Sequence, residues 1–76
     1  MSLKPLPARK VVKVLVKIGF KAVRQRGSHV VFKRSDGRVT VVPVHPREKI
    51  GRGLLLKIIK DAKLTREQFL KLLEEV

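Results

Sequence analysis

The sequence contains no cysteine, tryptophan or tyrosine, and it has no long apolar run. The absence of cysteine excludes disulfides and thiolate metal sites, and it is compatible with a reducing cytoplasm. A helix needs about 20 apolar residues to cross a bilayer, and no stretch approaches that length. The first residues also lack the apolar region and the small-residue cleavage site of a signal peptide. We therefore expect a cytoplasmic protein without a membrane partner.

Acidic residues are scarce as well. Six aspartates and glutamates face nineteen lysines and arginines, for a net charge of +13, and none of the six lies in residues 1–34. So large an excess of positive charge attracts polyanions, which favours a nucleic-acid partner. An acidic protein partner is the competing interpretation. In either case we expect the N-terminal half to supply the basic surface.

The same scarcity argues against a metal centre. Asp36 is expected in a turn and Glu48 in a loop, and the two histidines have no third histidine or acid at ligand spacing. Metal-assisted hydrolysis is therefore disfavoured. We expect neither a metal nor another cofactor.

Apolar residues make up 43% of the 76 positions, enough for one small domain over residues 1–76. Apolar spacing, turn residues and a capping box from Thr65 to Gln68 predict the elements. The predicted helices span residues 8–18, residues 52 or 53 to 62, and the Thr65 cap to about residue 75. The predicted strands span residues 20–25, 29–33 and 38–42. The order α-β-β-β-α-α is typical of an α+β sandwich, with helices on one face of a three-stranded antiparallel sheet.

Side-chain alternation predicts which residues of the middle strand face solvent. Val30 and Phe32 are expected to point to the core, so His29, Val31 and Lys33 should point to the face without helices.

The neighbouring strands are less determined. An inward Val23 would place Arg24 and Arg26 on the same face as His29. The register of the third strand stays open, because three of its residues could serve either face: Val39, Val41 and Val42.

The turn Gly27-Ser28 and the following His29 form the candidate catalytic stretch. A histidine exchanges a proton near pH 7. Gly27 allows a ligand to approach the backbone closely, and the Ser28 hydroxyl can donate to a phosphate oxygen. Negative charge that builds on a phosphorane would be stabilised by nearby cations, namely Arg24, Arg26 and Lys33. The pattern therefore predicts phosphodiester chemistry with His29 as the proton-transferring group.

His45 is the second histidine, and it precedes Pro46 in a predicted loop. Two interpretations stay open for it. It could fix the turn through a hydrogen bond, or it could act as a second acid or base.

The sequence resembles the HicA toxin family, small RNases of bacterial and archaeal toxin–antitoxin pairs. The residues that carry the resemblance are Gly19-Phe20, Arg24-Gln25-Arg26-Gly27-Ser28-His29, Phe32, Val42-Pro43-Val44-His45, Gly53 with Leu54 to Ala62, and Leu64-Thr65 to Phe69. They extend over nearly the whole chain. The Gly-Ser-His run is fairly specific in this context, whereas the bare tripeptide would not be.

The resemblance implies a double-stranded-RNA-binding-domain-like fold and ribosome-independent cleavage of mRNA. It implies that the histidine of the Gly-Ser-His run, here His29, is the catalytic residue. It also implies a HicB-type antitoxin that covers the active site, and we expect oligomers only through that complex. With RNA as the substrate, the expected RNA-binding residues are Arg24, Arg26, Gly27, Ser28 and Lys33.

Two points stay open at this stage. The group that completes the proton transfers could be His45, Ser28, water or a second subunit. A non-catalytic RNA-binding module with the same fold is the alternative function.

Overall fold

The computed structural model describes residues 3–76 of the chain. Its strands are β1 (Leu6–Pro7), β2 (Lys21–Arg26), β3 (His29–Lys33), β4 (Val39–Pro43) and β5 (Lys49–Ile50), and its helices are α1 (Ala8–Lys17), α2 (Arg52–Asp61) and α3 (Arg66–Glu75). Apart from the two-residue strands β1 and β5, this is the predicted order. The arrangement is consistent with the double-stranded-RNA-binding-domain-like fold. Within residues 3–76, no helix is both long enough and apolar enough to span a bilayer.

The main sheet is an antiparallel meander in the order β2-β3-β4. The two-residue turn Gly27-Ser28 joins β2 to β3, and Arg26 pairs with His29 across it. Gly27 has φ +60°, a conformation that residues with a Cβ rarely adopt. A glycine with positive φ at the first position of such a turn is typical of type II′, which matches the twist of the strands. The turn therefore fixes the register that brings His29 opposite Arg26.

Helices α1 and α2 cover one face of the sheet and contact β4. On β3, Val30 and Phe32 are buried while His29 and Lys33 are exposed, as the alternation predicts. All three phenylalanines of the chain are at most 3% exposed, so none is available to stack on a base: Phe20, Phe32 and Phe69.

Strand β4 turns Thr40 and Val42 to the core and leaves Val39 and Val41 exposed. This is the register that the sequence left open. Thr40 tolerates burial because its hydroxyl donates a hydrogen bond to Asp61 Oδ2 at 3.0 Å. The polar residue on the core side is thereby satisfied by the end of α2.

Two arginines tie the β3–β4 hairpin to the ends of two helices. Arg34 Nε donates to the Ile18 carbonyl oxygen at 2.6 Å, just past α1, and Arg38 Nη1 donates to the Ala62 carbonyl oxygen at 2.8 Å, just past α2. Asp36 Oδ2 accepts from both guanidinium groups, at 2.6 and 2.9 Å. Cations are favourable at helix C-termini, where the last carbonyls carry partial negative charge. Arg34 is therefore a structural residue, although it lies close in sequence to His29.

The loop predicted over residues 44–53 contains a short strand. In it β5 pairs antiparallel with β1, with Leu6 opposite Ile50, and Ile50 is buried. A ladder of two residues leaves no hydrophobic periodicity in the sequence, so the pattern does not predict it. The ladder holds the segment before α1 next to the residues that precede α2.

The sequence placed Arg24 and Arg26 on the face of His29 on the condition that Val23 points inward, and Val23 does not. Val23 is 57% exposed, and the pairing of β2 with β3 shifts between Ala22 and Arg24. Such a bulge inserts an extra residue and turns its side chain out of the regular alternation. Arg24 and Arg26 nevertheless face the same side as His29, because they lie opposite Val31 and His29.

The apolar spacing predicts Leu54 in the core stripe of α2 and Val14 outside the buried stripe of α1, and the structure differs at both positions. Leu54, expected in the core, is 36% exposed, because it lies in the first turn of α2, ahead of the buried stripe of Leu55, Ile58 and Ile59. Val14, expected outside the buried stripe of α1, is fully buried. It lies three residues after Val11 and so on the same helical face.

Candidate active site and nucleic-acid interface

The side of the main sheet without helices is the candidate site, and we call it the open face. Residues directly opposite each other in an antiparallel pair present their side chains on the same side. The pairing therefore assigns to the open face Lys21, Arg24, Arg26, His29, Val31, Lys33, Val39, Val41 and Pro43.

His29 is the first residue of β3 and follows the Gly27-Ser28 turn directly. It lies between Arg26 of β2 and Pro43 of β4, and its side chain is exposed. A ligand can therefore reach the imidazole from solvent, with a guanidinium group on the neighbouring strand.

Four cations share the open face with His29. Arg24, Arg26 and Lys33 are exposed, as is Lys21, which lies opposite Lys33. Within the part of the chain that the structure describes, none of the four takes part in an ion pair. Their charges are thus available to an anion from outside.

His45 joins this group through the turn. Its Nε2 lies 3.0 Å from Ser28 Oγ, and the Val44 backbone N–H donates to the Ser28 carbonyl oxygen at 2.6 Å. The contact crosses 17 positions of sequence and was not predicted from the residues. One signal could have found it: an antiparallel β4 must end beside the start of β3, so the residues after Pro43 must pass the Gly27-Ser28 turn.

The space beside the turn is open. A Cβ placed on Gly27 would meet no heavy atom within 4 Å. A hydroxyl and two imidazoles thus lie at an accessible backbone turn, with Arg26 beside it and the other cations further along the open face. Hydroxyl and imidazole groups can exchange protons, and the cations can stabilise a phosphate whose charge increases during reaction.

A protein metal site usually needs several histidine, cysteine, aspartate or glutamate side chains close together. Among residues 3–76, no three side chains of histidine, cysteine, aspartate or glutamate come together to form a cluster that could hold an ion.

A comparison with protein families shows which family the chain resembles. The family model described as the HicA toxin of bacterial toxin–antitoxin matches residues 8–64, about three quarters of the chain. The chain belongs to the HicA toxin family. A comparison with curated proteins gave no match.

Membership makes the chain the toxin component of a toxin–antitoxin system. The matched residues run from the start of α1 to the end of α2, so they include the turn, His29 and His45. Helix α3 lies beyond them. The part of the fold that carries the open face is thus the part that the family shares.

Proposed function

We propose that this HicA toxin is a metal-independent endoribonuclease that cleaves mRNA in the cytoplasm, with residues 1–76 acting as one domain. The observation that carries the proposal is the exposed His29 beside the Gly27-Ser28 turn, on a face with four cations that form no ion pair within residues 3–76. Family membership supports an RNA target. Arg24, Arg26 and Lys33 bind phosphates, and the turn lets the RNA backbone approach closely.

The proposed reaction uses the ribose 2′-hydroxyl, which restricts cleavage to RNA. The 2′-oxygen gives up its proton and bonds to the adjacent phosphorus. The bond from phosphorus to the 5′-oxygen breaks, and that oxygen takes a proton. The products are a 2′,3′-cyclic phosphate and a 5′-hydroxyl. His29 carries out one of the two proton transfers, and the cations stabilise the added negative charge on the phosphorane.

The other transfer we assign to His45. Its contact with Ser28 Oγ keeps it beside the turn that directly precedes His29. Two imidazoles of which one is protonated could serve as base and acid at neutral pH. The competing role is purely structural, with His45 fixing the turn through Ser28.

The proposed protein partner is a HicB-type antitoxin that covers the open face, and oligomers form only through that complex. Exposed valines on β4, an edge strand of this face, favour a protein partner in addition to RNA. Val39 and Val41 are 44% and 38% exposed. An antitoxin that buried them beside the cations would block access of RNA to His29.

The first test is His29→Ala in the full chain. Loss of one acid or base should lower RNA cleavage by about 10²- to 10⁴-fold. RNA binding should change little, because four cations of the face remain. Cleavage is followed on a labelled RNA, binding by fluorescence anisotropy, and growth arrest on expression. If wild type and His29→Ala both bind RNA without cutting it, the non-catalytic RNA-binding module is the better account.

The same assay separates the two roles of His45. His45→Gln keeps a side chain that can hydrogen-bond to Ser28 but cannot exchange a proton. If His45 is the second acid or base, the glutamine variant should lose about as much cleavage as His45→Ala. Full activity in the glutamine variant, with loss in the alanine variant, would assign His45 to holding the turn.

A further inference from the structure

A second surface lies next to the open face and plays no part in the proposed chemistry. It is a cleft of about 540 Å³ between the first turns of α1 and the segment after β4. Its apolar part is formed by Ala8, Val12 and Val44, and its polar part by Arg9, Lys13 and His45. This volume falls within the range of sites for small organic ligands.

His45 connects the cleft to the candidate active site. The residue lines the cleft and also contacts Ser28, one position before His29. If the scissile phosphate of an RNA strand lies at His29, a neighbouring nucleotide of that strand can therefore reach this cleft.

The charge of the cleft suits a phosphate. Arg9 and Lys13 are exposed and take part in no ion pair of residues 3–76. The first turn of α1 contains no acid, and its N-cap residue, Pro7, makes no side-chain cap. The free backbone N–H groups of that turn add positive potential at the same place.

We propose that this cleft is a nucleotide subsite, in which the nucleotide next to the scissile phosphate of single-stranded RNA is bound. The ribose or base lies on the apolar surface from Val12 and Val44, and Arg9 and Lys13 bind the phosphate. The inference rests on the proposed function, and it adds a place for the substrate outside the sheet. A double-stranded segment would not fit, since a paired base cannot enter a cleft of this size without leaving its partner.

The test compares two double variants that remove the same charge. Arg9→Ala/Lys13→Ala alters the cleft, whereas Lys60→Ala/Lys71→Ala removes two exposed lysines from α2 and α3. Binding of labelled single-stranded RNA of mixed sequence is measured in a His29→Ala background, with molecules of three and eight nucleotides. We expect the cleft variant to bind the longer RNA about tenfold more weakly at 0.1 M salt, and the control less than about twofold.

Cleavage by the chain with His29 intact gives the second readout. The cleft variant should raise KM for the longer RNA and leave kcat nearly unchanged, because a subsite away from the reacting atoms contributes uniform binding. Equal losses in the two double variants would overturn the subsite and leave only general charge attraction. Unchanged RNA binding together with weaker antitoxin binding would assign the cleft to the protein partner instead.

Failure of the subsite and failure of the proposed function give different results. If His29→Ala abolishes cleavage while the cleft variant matches its control, the nuclease proposal stands and the subsite is wrong. If the cleft variant weakens RNA binding but wild type cuts no RNA, the cleft remains an RNA site on a binding module.

Discussion

At the scale of single residues, Asp36 shows how one carboxylate organises several elements. Desolvation acts to raise its pKa, but the backbone N–H of Arg38, the side chain of Arg34 and the charges of both arginines outweigh it. The pKa of Asp36 is therefore lowered from its usual 3.8. Each arginine in turn contacts the carbonyl that follows a helix, at Ile18 and Ala62.

Replacing Asp36 by asparagine should make the stability of the fold depend less on pH in the acidic range. A carboxylate whose pKa is lower in the folded state contributes stability above its unfolded value, near pH 4, and loses it as pH falls through the folded value. We expect Asp36→Asn to have a lower Tm at pH 7, with the difference from wild type shrinking below pH 4. Thermal unfolding by circular dichroism from pH 7 to pH 2 measures this.

Glu74→Gln is the control for that experiment, since Glu74 is exposed and belongs to none of the ion pairs of residues 3–76. It should unfold like wild type at every pH. A difference between Asp36→Asn and wild type that stays constant with pH would contradict the role given to the carboxylate.

At the scale of elements, α3 has the most complete start of the three helices of residues 3–76. Thr65 Oγ1 accepts from the Gln68 backbone N–H at 3.0 Å, and Gln68 Oε1 accepts from the Thr65 backbone N–H at 2.8 Å. This is the capping box that the sequence predicts, and it fixes where the chain turns back to pack against α1. Phe69, in the next turn, is fully buried as a result.

Thr65→Ala should remove one half of that box. Loss of an N-cap hydroxyl costs about 1 kcal/mol, which corresponds to a fall in Tm of about 4–8 °C for a domain of this size. Thr65→Ser keeps the hydroxyl and should stay close to wild type. Equal Tm values for the alanine and serine variants would show that the cap adds nothing to stability. RNA cleavage at 25 °C should be the same in both, because α3 contributes no residue to the open face.

Elements and their faces were predictable wherever the signal is local. Alternation around Val30 and Phe32 placed His29 on the outer side, and the spacing of Thr65 and Gln68 marked the start of α3. These features depend on periods and caps a few residues long.

Features that depend on distant partners were missed. The bulge at Val23 and the β1–β5 ladder arise from pairing between strands, and the Ser28–His45 contact arises where two loops pass each other. The same holds for the structural role of Arg34, which lies close to His29 in sequence. Its partner, the Ile18 carbonyl, is 16 positions away.

At the scale of the whole molecule, the basic residues fall into two groups, one that stabilises the fold and one that is available to a ligand. Arg34 and Arg38 neutralise an acid and the ends of helices, whereas the cations of the open face have no internal partner in residues 3–76. Composition predicts a polyanion as partner, but only the structure separates these two groups of basic residues. The separation identifies which residues should govern the response to salt.

Binding of single-stranded RNA should therefore weaken steeply with salt. Each phosphate contact contributes about −0.7 to the slope of log K against log salt. Arg24→Ala/Arg26→Ala removes two proposed contacts and should reduce the magnitude of that slope by about 1.4. Anisotropy titrations at several salt concentrations, in the His29→Ala background, measure the slope.

Lys60→Ala/Lys71→Ala carries the same change of net charge and should leave the slope close to that of the parent. A similar reduction in both double variants would mean that RNA responds to total charge and has no preferred surface.

Lys21 and Lys33 lie directly opposite each other on adjacent strands. Two ammonium groups in that position repel each other, so the sheet of the unbound protein includes a local electrostatic penalty. The phosphates of a bound RNA would reduce this repulsion, because they would serve as a counter-ion for the lysines of both strands. The toxin should thus resist heat better when it is engaged with its target than when it is alone.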